Sequence, residues 1–124
     1  MAASFGPGPS ADPFCEVELT ISCRNLRDMD FFSKSDPMCV VYMKNNGTDL
    51  WQEVKRTEII YNNLNPDFST KIEMEYHFEE CQLLKFEVYD IDTKNVANLR
   101  EHDFIGQCVT TLGQVHINKK NKFY

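Results

Sequence analysis

The residues of this chain whose types and spacing could do chemistry are aspartates in two groups. Asp30 and Asp36 lie six apart in a polar stretch running from Arg24 to Pro37. Asp90 and Asp92 end an alternating apolar segment, and Asp103 stands just before the next one. Five carboxylates gathered at one end of a fold would repel one another and raise each other's pKa values. A hard cation removes that cost. Calcium takes six to eight oxygens in irregular geometry, which suits carboxylates held on loops, and two such ions would set +4 against −5. Zinc would want nitrogen or sulfur, and these loops offer only His102. The competing reading is that the aspartates cap turns and stay solvated, the commonest fate of loop aspartate. An EF-hand does not fit. Asp90, Asp92 and Glu101 fall at loop positions 1, 3 and 12, but Lys94 and Asn95 occupy the places of the central ligand and the turn glycine.

The overall charge sharpens the question. Asp+Glu number 19 against Lys+Arg 13, a formal net charge of −6. Nucleic-acid phosphates need a concentrated basic face, so that class of partner is not expected. An anionic membrane would be repelled as well, unless a cation intervened. Lys55 and Arg56 are flanked by Glu53 and Glu58, which reads as a solvated face rather than a basic docking site.

The elements that must position the aspartates are strands. Cys15 to Cys23 alternates apolar and polar without a fault, and Met38 to Met43 is an apolar run of central-strand length. Asn45 to Asp49 suits a hairpin. Trp51 to Ile60, Phe68 to Tyr76, Leu84 to Asp90 and Phe104 to Leu112 supply four more strands, with Asn65-Pro66 breaking the chain between two of them. A short helical turn fits around residues 78–82, and nothing longer. The pattern predicts one all-β domain, an antiparallel sandwich over residues 14–114, after a proline-rich flexible leader at 1–13.

Five cysteines form no CxxC pair, so they read as small buried hydrophobes of a reducing, cytoplasmic compartment. No apolar run approaches the roughly 20 residues of a membrane span, and the first residues lack the pattern of a signal peptide. His77, His102 and His116 are scattered, without a nucleophile elbow or P-loop, so neither catalysis nor a small-molecule substrate is expected.

Three ordered motifs carry a resemblance. Ser33-Lys34-Ser35-Asp36-Pro37 resembles the SKSDP motif of C2 domains, and Asn63 to Phe68 resembles their N-P-x-F turn. Val88-Tyr89-Asp90-Ile91-Asp92, followed by Asp103-Phe104-Ile105-Gly106, resembles their V-Y-D-x-D…D-x-I-G segment. Lys55 to Glu58, Leu84 to Phe86 and Thr111 to Gln114 look most like the first C2 domain of a copine. That family consists of calcium-dependent, phospholipid-binding cytosolic proteins. The resemblance implies the permuted, type II sandwich topology, with calcium ions, two or more, held by Asp30, Asp36, Asp90, Asp92, Asp103 and the backbone carbonyl of Met29. It also implies docking to the anionic phospholipid of the plasma membrane when calcium rises. Phe31, Phe32, Val96 and Leu99 are the apolar side chains placed to enter the interface. A calcium-independent sandwich that binds target proteins is the alternative. Residues 115–124 do not resemble the copine continuation, so they read as an atypical tail of a truncated or alternatively ended form, with an open sheet edge expected.

Overall fold

Strand β6, Leu83–Asp90, shows how the sequence makes the fold. Its side chains alternate between half-buried and buried, so Leu84, Phe86 and Val88 point into the core and Lys85, Glu87 and Tyr89 point away. The chain is described here from a computed structural model covering residues 13–28, 34–44, 47–92, 97–117 and 122–123. On one side β6 pairs antiparallel with β3, Pro37–Lys44, from Pro37↔Asp90 to Lys44↔Leu83. On the other it pairs with β7, Asp103–Thr111, from Leu83↔Thr111 to Asp90↔Asp103. With β4, Gln52–Arg56, outside β3, these make a four-stranded sheet of order β4-β3-β6-β7.

The facing layer is thinner. β1, Phe14–Leu19, pairs antiparallel with β5, Ile72–His77, and the short β2, Ser22–Cys23, pairs in parallel with β8, Lys122–Phe123. Between the layers lies one large apolar cluster. Cys39, Val41, Leu84, Phe86, Val88 and Ile105 enter it from the four-stranded sheet, and Ile21, Cys23, Phe68, Ile72 and Met74 from the other side. A second cluster of Met38, Val40 and Ile91 sits on the outer face of the four-stranded sheet. The expected all-β antiparallel sandwich is the fold observed. Among the described residues, no helix is long and apolar enough to cross a membrane.

Several boundaries differ from the sequence expectation. The single strand expected from Cys15 to Cys23 breaks after Leu19, giving β1 and β2. The third expected strand stops at Arg56, because the next residue turns inward. Thr57 is buried, its N–H donates to the Cys39 carbonyl at 2.8 Å, and its hydroxyl accepts from the Cys39 N–H at 2.9 Å. The fourth begins at Ile72 rather than Phe68. A six-residue helix, α1, runs over Leu112–Ile117, where no helix was expected. Its cause was in the sequence: Thr111 and Gln114 have capping-box spacing, and the Thr111 hydroxyl accepts from the Gln114 N–H at 3.2 Å. The cysteines also divide. Cys23 and Cys39 are buried and all five are free, but Cys15 and Cys108 are half-buried and Cys81 is exposed. Burial pushes the Cys23 thiol up to about 12 and that of Cys39 well above its ordinary value, so neither is a ready nucleophile.

Candidate metal centre

Asp90 reaches the rim by continuing the inward row of β6. Leu84, Phe86 and Val88 are followed two residues on by Asp90, in the same register and fully buried. The fourth inward rung of a hydrophobic ladder is therefore a carboxylate. Directly across the strand pair stands Asp103, the first residue of β7. Asp92 follows two residues past the end of β6. Asp90, Asp92 and Asp103 each offer a carboxylate oxygen, and these atoms all lie within 4.8 Å of one another. Like charges directly opposite on neighbouring strands are destabilising, and burial of one member strengthens the repulsion. Three convergent oxygen donors and no nitrogen or sulfur donor form a set that suits a hard cation such as calcium.

The backbone around this trio is firmly held. The Asp36 N–H donates to Asp90 Oδ1 at 2.9 Å, and the Ile91 N–H donates to the Asp36 carbonyl at 3.1 Å, which locks the start of β3 to the end of β6. The buried His102 accepts from the Asp92 N–H through Nδ1 at 3.0 Å, which places the proton of a neutral ring on Nε2. A 3₁₀ turn, Leu99–Glu101, leads into His102, with the Asn98 side chain accepting from the Arg100 N–H as its cap. The ten residues between Asp92 and Asp103 thus include a capped turn, and the loop returns Asp103 to Asp90.

Asp36 is placed beside the trio by its backbone, while its carboxylate faces a neighbouring loop. Its Oδ1 accepts from the Asn62 N–H at 2.7 Å, and it is not one of the three residues whose oxygens converge. Asn62 adopts a left-handed φ of 55°, which asparagine tolerates, and its side chain accepts from the Lys34 N–H at 2.8 Å. Asp30, Met29, Phe31, Phe32 and Val96 lie outside the described residues. Leu99 is half-buried and packs against the Met38, Val40 and Ile91 cluster.

Sequence reasoning missed three supporting groups. Asn62 and His102 bind backbone rather than metal, and nothing in an isolated Asn or His distinguishes that role. Phe104 is the third. It is 44% exposed, adjoins Asp103, and meets the Tyr89 ring edge-on at 5.6 Å between centroids. Phe104 is the register partner of Tyr89, so its ring lies with Tyr89 on the outer face while Asp103 sits opposite Asp90.

The outer face of the sheet offers cations already engaged. Lys85 lies 3.3 Å from Glu87 and stands over the Tyr42 and Trp51 rings, and Arg56 lies 2.7 Å from Glu53. Lys55, the register partner of the core residue Val41, stands on the inner side of β4 instead and donates to the Lys71 carbonyl at 2.8 Å.

The C2 domain family's profile matches residues 16–124. The chain belongs to the C2 domain family. Nicotinic receptor-associated protein 1 of Caenorhabditis briggsae is 43% identical over 129 residues, an alignment covering 91% of this chain and 20% of that protein. The chain therefore spans about a fifth of the length of the curated relatives it matches. Among solved structures, human GIVD cytosolic phospholipase A2 in complex with methyl gamma-linolenyl fluorophosphonate superposes with a TM-score of 0.63 at 17% identity. That match covers 82% of this chain and 14% of the other. The calcium-bound C2A and C2B domains of extended synaptotagmin 2 give 0.59 at 20% identity, covering 86% and 37%. These likenesses establish the C2 sandwich. The acidic trio of this C2 domain lies where β6 ends and β7 begins.

Proposed function

We propose that this C2 domain binds calcium at the Asp90, Asp92 and Asp103 rim and thereby docks onto anionic phospholipid, with no catalytic role. The observation that carries the reading is the convergence of three carboxylate oxygens within 4.8 Å on a frame of backbone hydrogen bonds. Asp90 would hold the ion from the core side, with Asp92 and Asp103 closing on it from solvent. Asp36, Asp30 and the Met29 carbonyl are the further ligands that the resemblance supplies. Calcium, once bound, supplies positive charge that neutralises the rim and offers a bond to lipid phosphate oxygens. Phe104 then adds an exposed ring close in sequence to the neutralised site, and Phe31 and Phe32 are the further apolar side chains that the resemblance supplies for the interface. The cations of the outer face, each engaged with a glutamate or an aromatic ring, favour the calcium rim over that face as the lipid site. The segments Lys55 to Glu58, Leu84 to Phe86 and Thr111 to Gln114 support placing the chain near the first C2 domain of a copine, in a cytoplasmic protein recruited to the plasma membrane.

Calorimetric titration with calcium, with and without phosphatidylserine vesicles, tests this. Binding that tightens when vesicles are present is expected, and Asp92→Asn with Asp103→Asn should abolish both signals. Vesicle binding that survives chelator, or that survives the double variant, would sink the reading. A second reading, calcium-independent capture of a protein, is favoured by one observation: the worm relatives carry the name nicotinic receptor-associated protein 1.

A further inference from the structure

The most exposed apolar side chains do not share one end of the molecule. Leu50, between β3 and β4, and Phe78, just past β5, stand at the end of the sandwich where Lys44 pairs with Leu83, remote from Asp90. Phe14, opposite His77, belongs to that end too. Tyr61 stands at the other end. At 71% exposed it is the most exposed aromatic side chain among the described residues.

The chain reaches Tyr61 by rounding the end of the four-stranded sheet. Ile59 packs with Met38, Val40 and Ile91 on the outer face, and Ile60 packs against the main core. The Ile60 N–H donates to the Pro37 carbonyl at 3.1 Å, the Asn62 N–H to Asp36 Oδ1 at 2.7 Å, and the Asn63 N–H to the Ser35 carbonyl at 3.0 Å. Asp36 is itself bonded to Asp90. Tyr61 is therefore carried on a turn stapled to the backbone that frames the acidic trio. The chemistry of this turn suits a lipid surface. From Ile59 to Pro66 no side chain is charged, in a chain of net charge −6. The N–H groups of Ile60, Asn62, Asn63 and Asn65 are all donated within the protein, the last to Asn63 Oδ1 at 2.8 Å. Such a turn gives up little when an interface dries its surroundings. Tyrosine is also a residue type that settles at headgroup level, with its ring in the apolar layer and its hydroxyl toward water.

We propose that Tyr61 is an interfacial anchor, whose ring enters the headgroup layer when the calcium-loaded rim rests on phospholipid. It does so from the crossing between β4 and β5, a segment separate from those that carry Phe31, Phe32, Val96, Leu99 and Phe104. The proposal rests on the calcium-docking reading and adds to it a second point of contact on a preorganised arm. One ring projecting from a turn offers a protein partner little area to bury, whereas a fluid lipid layer closes around it.

The test uses the full chain with mixed phosphatidylserine and phosphatidylcholine vesicles. Tyr61→Ala should leave calcium titration without vesicles unchanged and weaken calcium-dependent vesicle binding by about fivefold, while Tyr61→Phe stays within about twofold of the parent. Tyr61→Trp reports contact directly. Its added indole emission should shift to the blue and be quenched by brominated lipid in calcium but not in chelator. Trp51 of the parent, which stacks under Lys44 at the remote end, should not be quenched. No vesicle binding by the parent in calcium would overturn this proposal together with the calcium reading. Parent binding that Tyr61→Ala leaves within about twofold, or an introduced indole that brominated lipid does not quench, would overturn this proposal alone. A vesicle-free calcium titration altered by Tyr61→Ala would move the effect from lipid to the rim and overturn it as well.

Discussion

Among the described residues, two places set acidic residues directly opposite on paired strands, and their surroundings differ. On β6 and β7 the pair is Asp90 with Asp103, and Asp90 is fully buried. On β1 and β5 the pairs are Glu16 with Glu75 and Glu18 with Glu73, all exposed. Water and salt screen the glutamates, so their repulsion is small. The aspartates have little water on one side, so the same geometry creates a demand for a cation. Solvent access, rather than charge count, separates a rim suited to a cation from an acidic surface.

The comparison can be broken most forcefully at Asp90. Calcium at about one hundred times its dissociation constant should stabilise the parent chain by about 2.7 kcal/mol. Asp90→Asn should lose that increment while remaining at least as stable as the parent in chelator, because a buried charge is gone and an acceptor for the Asp36 N–H remains. Thermal melts in calcium and in chelator decide it, and a calcium shift retained by the variant would end the argument. His102→Ala removes the group that fixes Asp92 without removing a carboxylate, and should weaken calcium binding by about tenfold in titration calorimetry. Unchanged affinity would show that the loop holds Asp92 without the ring.

Glu58 sharpens the contrast from a third direction, as a single carboxylate satisfied by hydrogen bonds. Partial burial works against its charge, but Ser69 and Thr70 each donate a backbone N–H and a hydroxyl to it, and the net effect lowers its pKa from 4.5 to about 2. The folded protein therefore binds fewer protons than the unfolded chain between those values. The stability this confers is complete above about pH 4.5 and is lost as pH falls through about 2. Glu58→Gln should cost about 1 kcal/mol at pH 7 by denaturant melts and flatten the acid limb of the stability profile. An acid limb identical to the parent's would refute it. The smallest effect belongs to the exposed pairs: Glu16→Gln should stabilise the chain by no more than about 0.5 kcal/mol, and less in high salt, with no dependence on calcium. A calcium-dependent change at Glu16 would erase the distinction between the two regions.

The strand pattern was legible because alternation reports burial directly, and β6 ran to Asp90 as its sequence implied. The convergence of Asp90, Asp92 and Asp103 was legible because all three flank one loop between paired strands. The orientation of Asp36 was not, since it depends on Asn62, 26 residues away in sequence, offering an N–H. Nor was the packing of Leu99, which is settled by Met38, Val40 and Ile91 on the sheet's outer face. Ends of elements moved for local reasons, as at Thr57, whose side chain bonds the neighbouring strand. Helix α1 was overlooked although its capping pair was in view.

Asp90 also has a mechanical meaning. It is the terminal residue of a strand bonded on both sides over its length, to β3 and to β7. A ligand gripping its carboxylate loads the end of that strand, and a pull directed along the strand axis strains the hydrogen bonds of both ladders together in shear rather than opening them one after another. Force applied at the rim therefore enters the most cross-linked strand of the sandwich, and a tether fixed there would resist tension far better than one fixed to the edge strand β4.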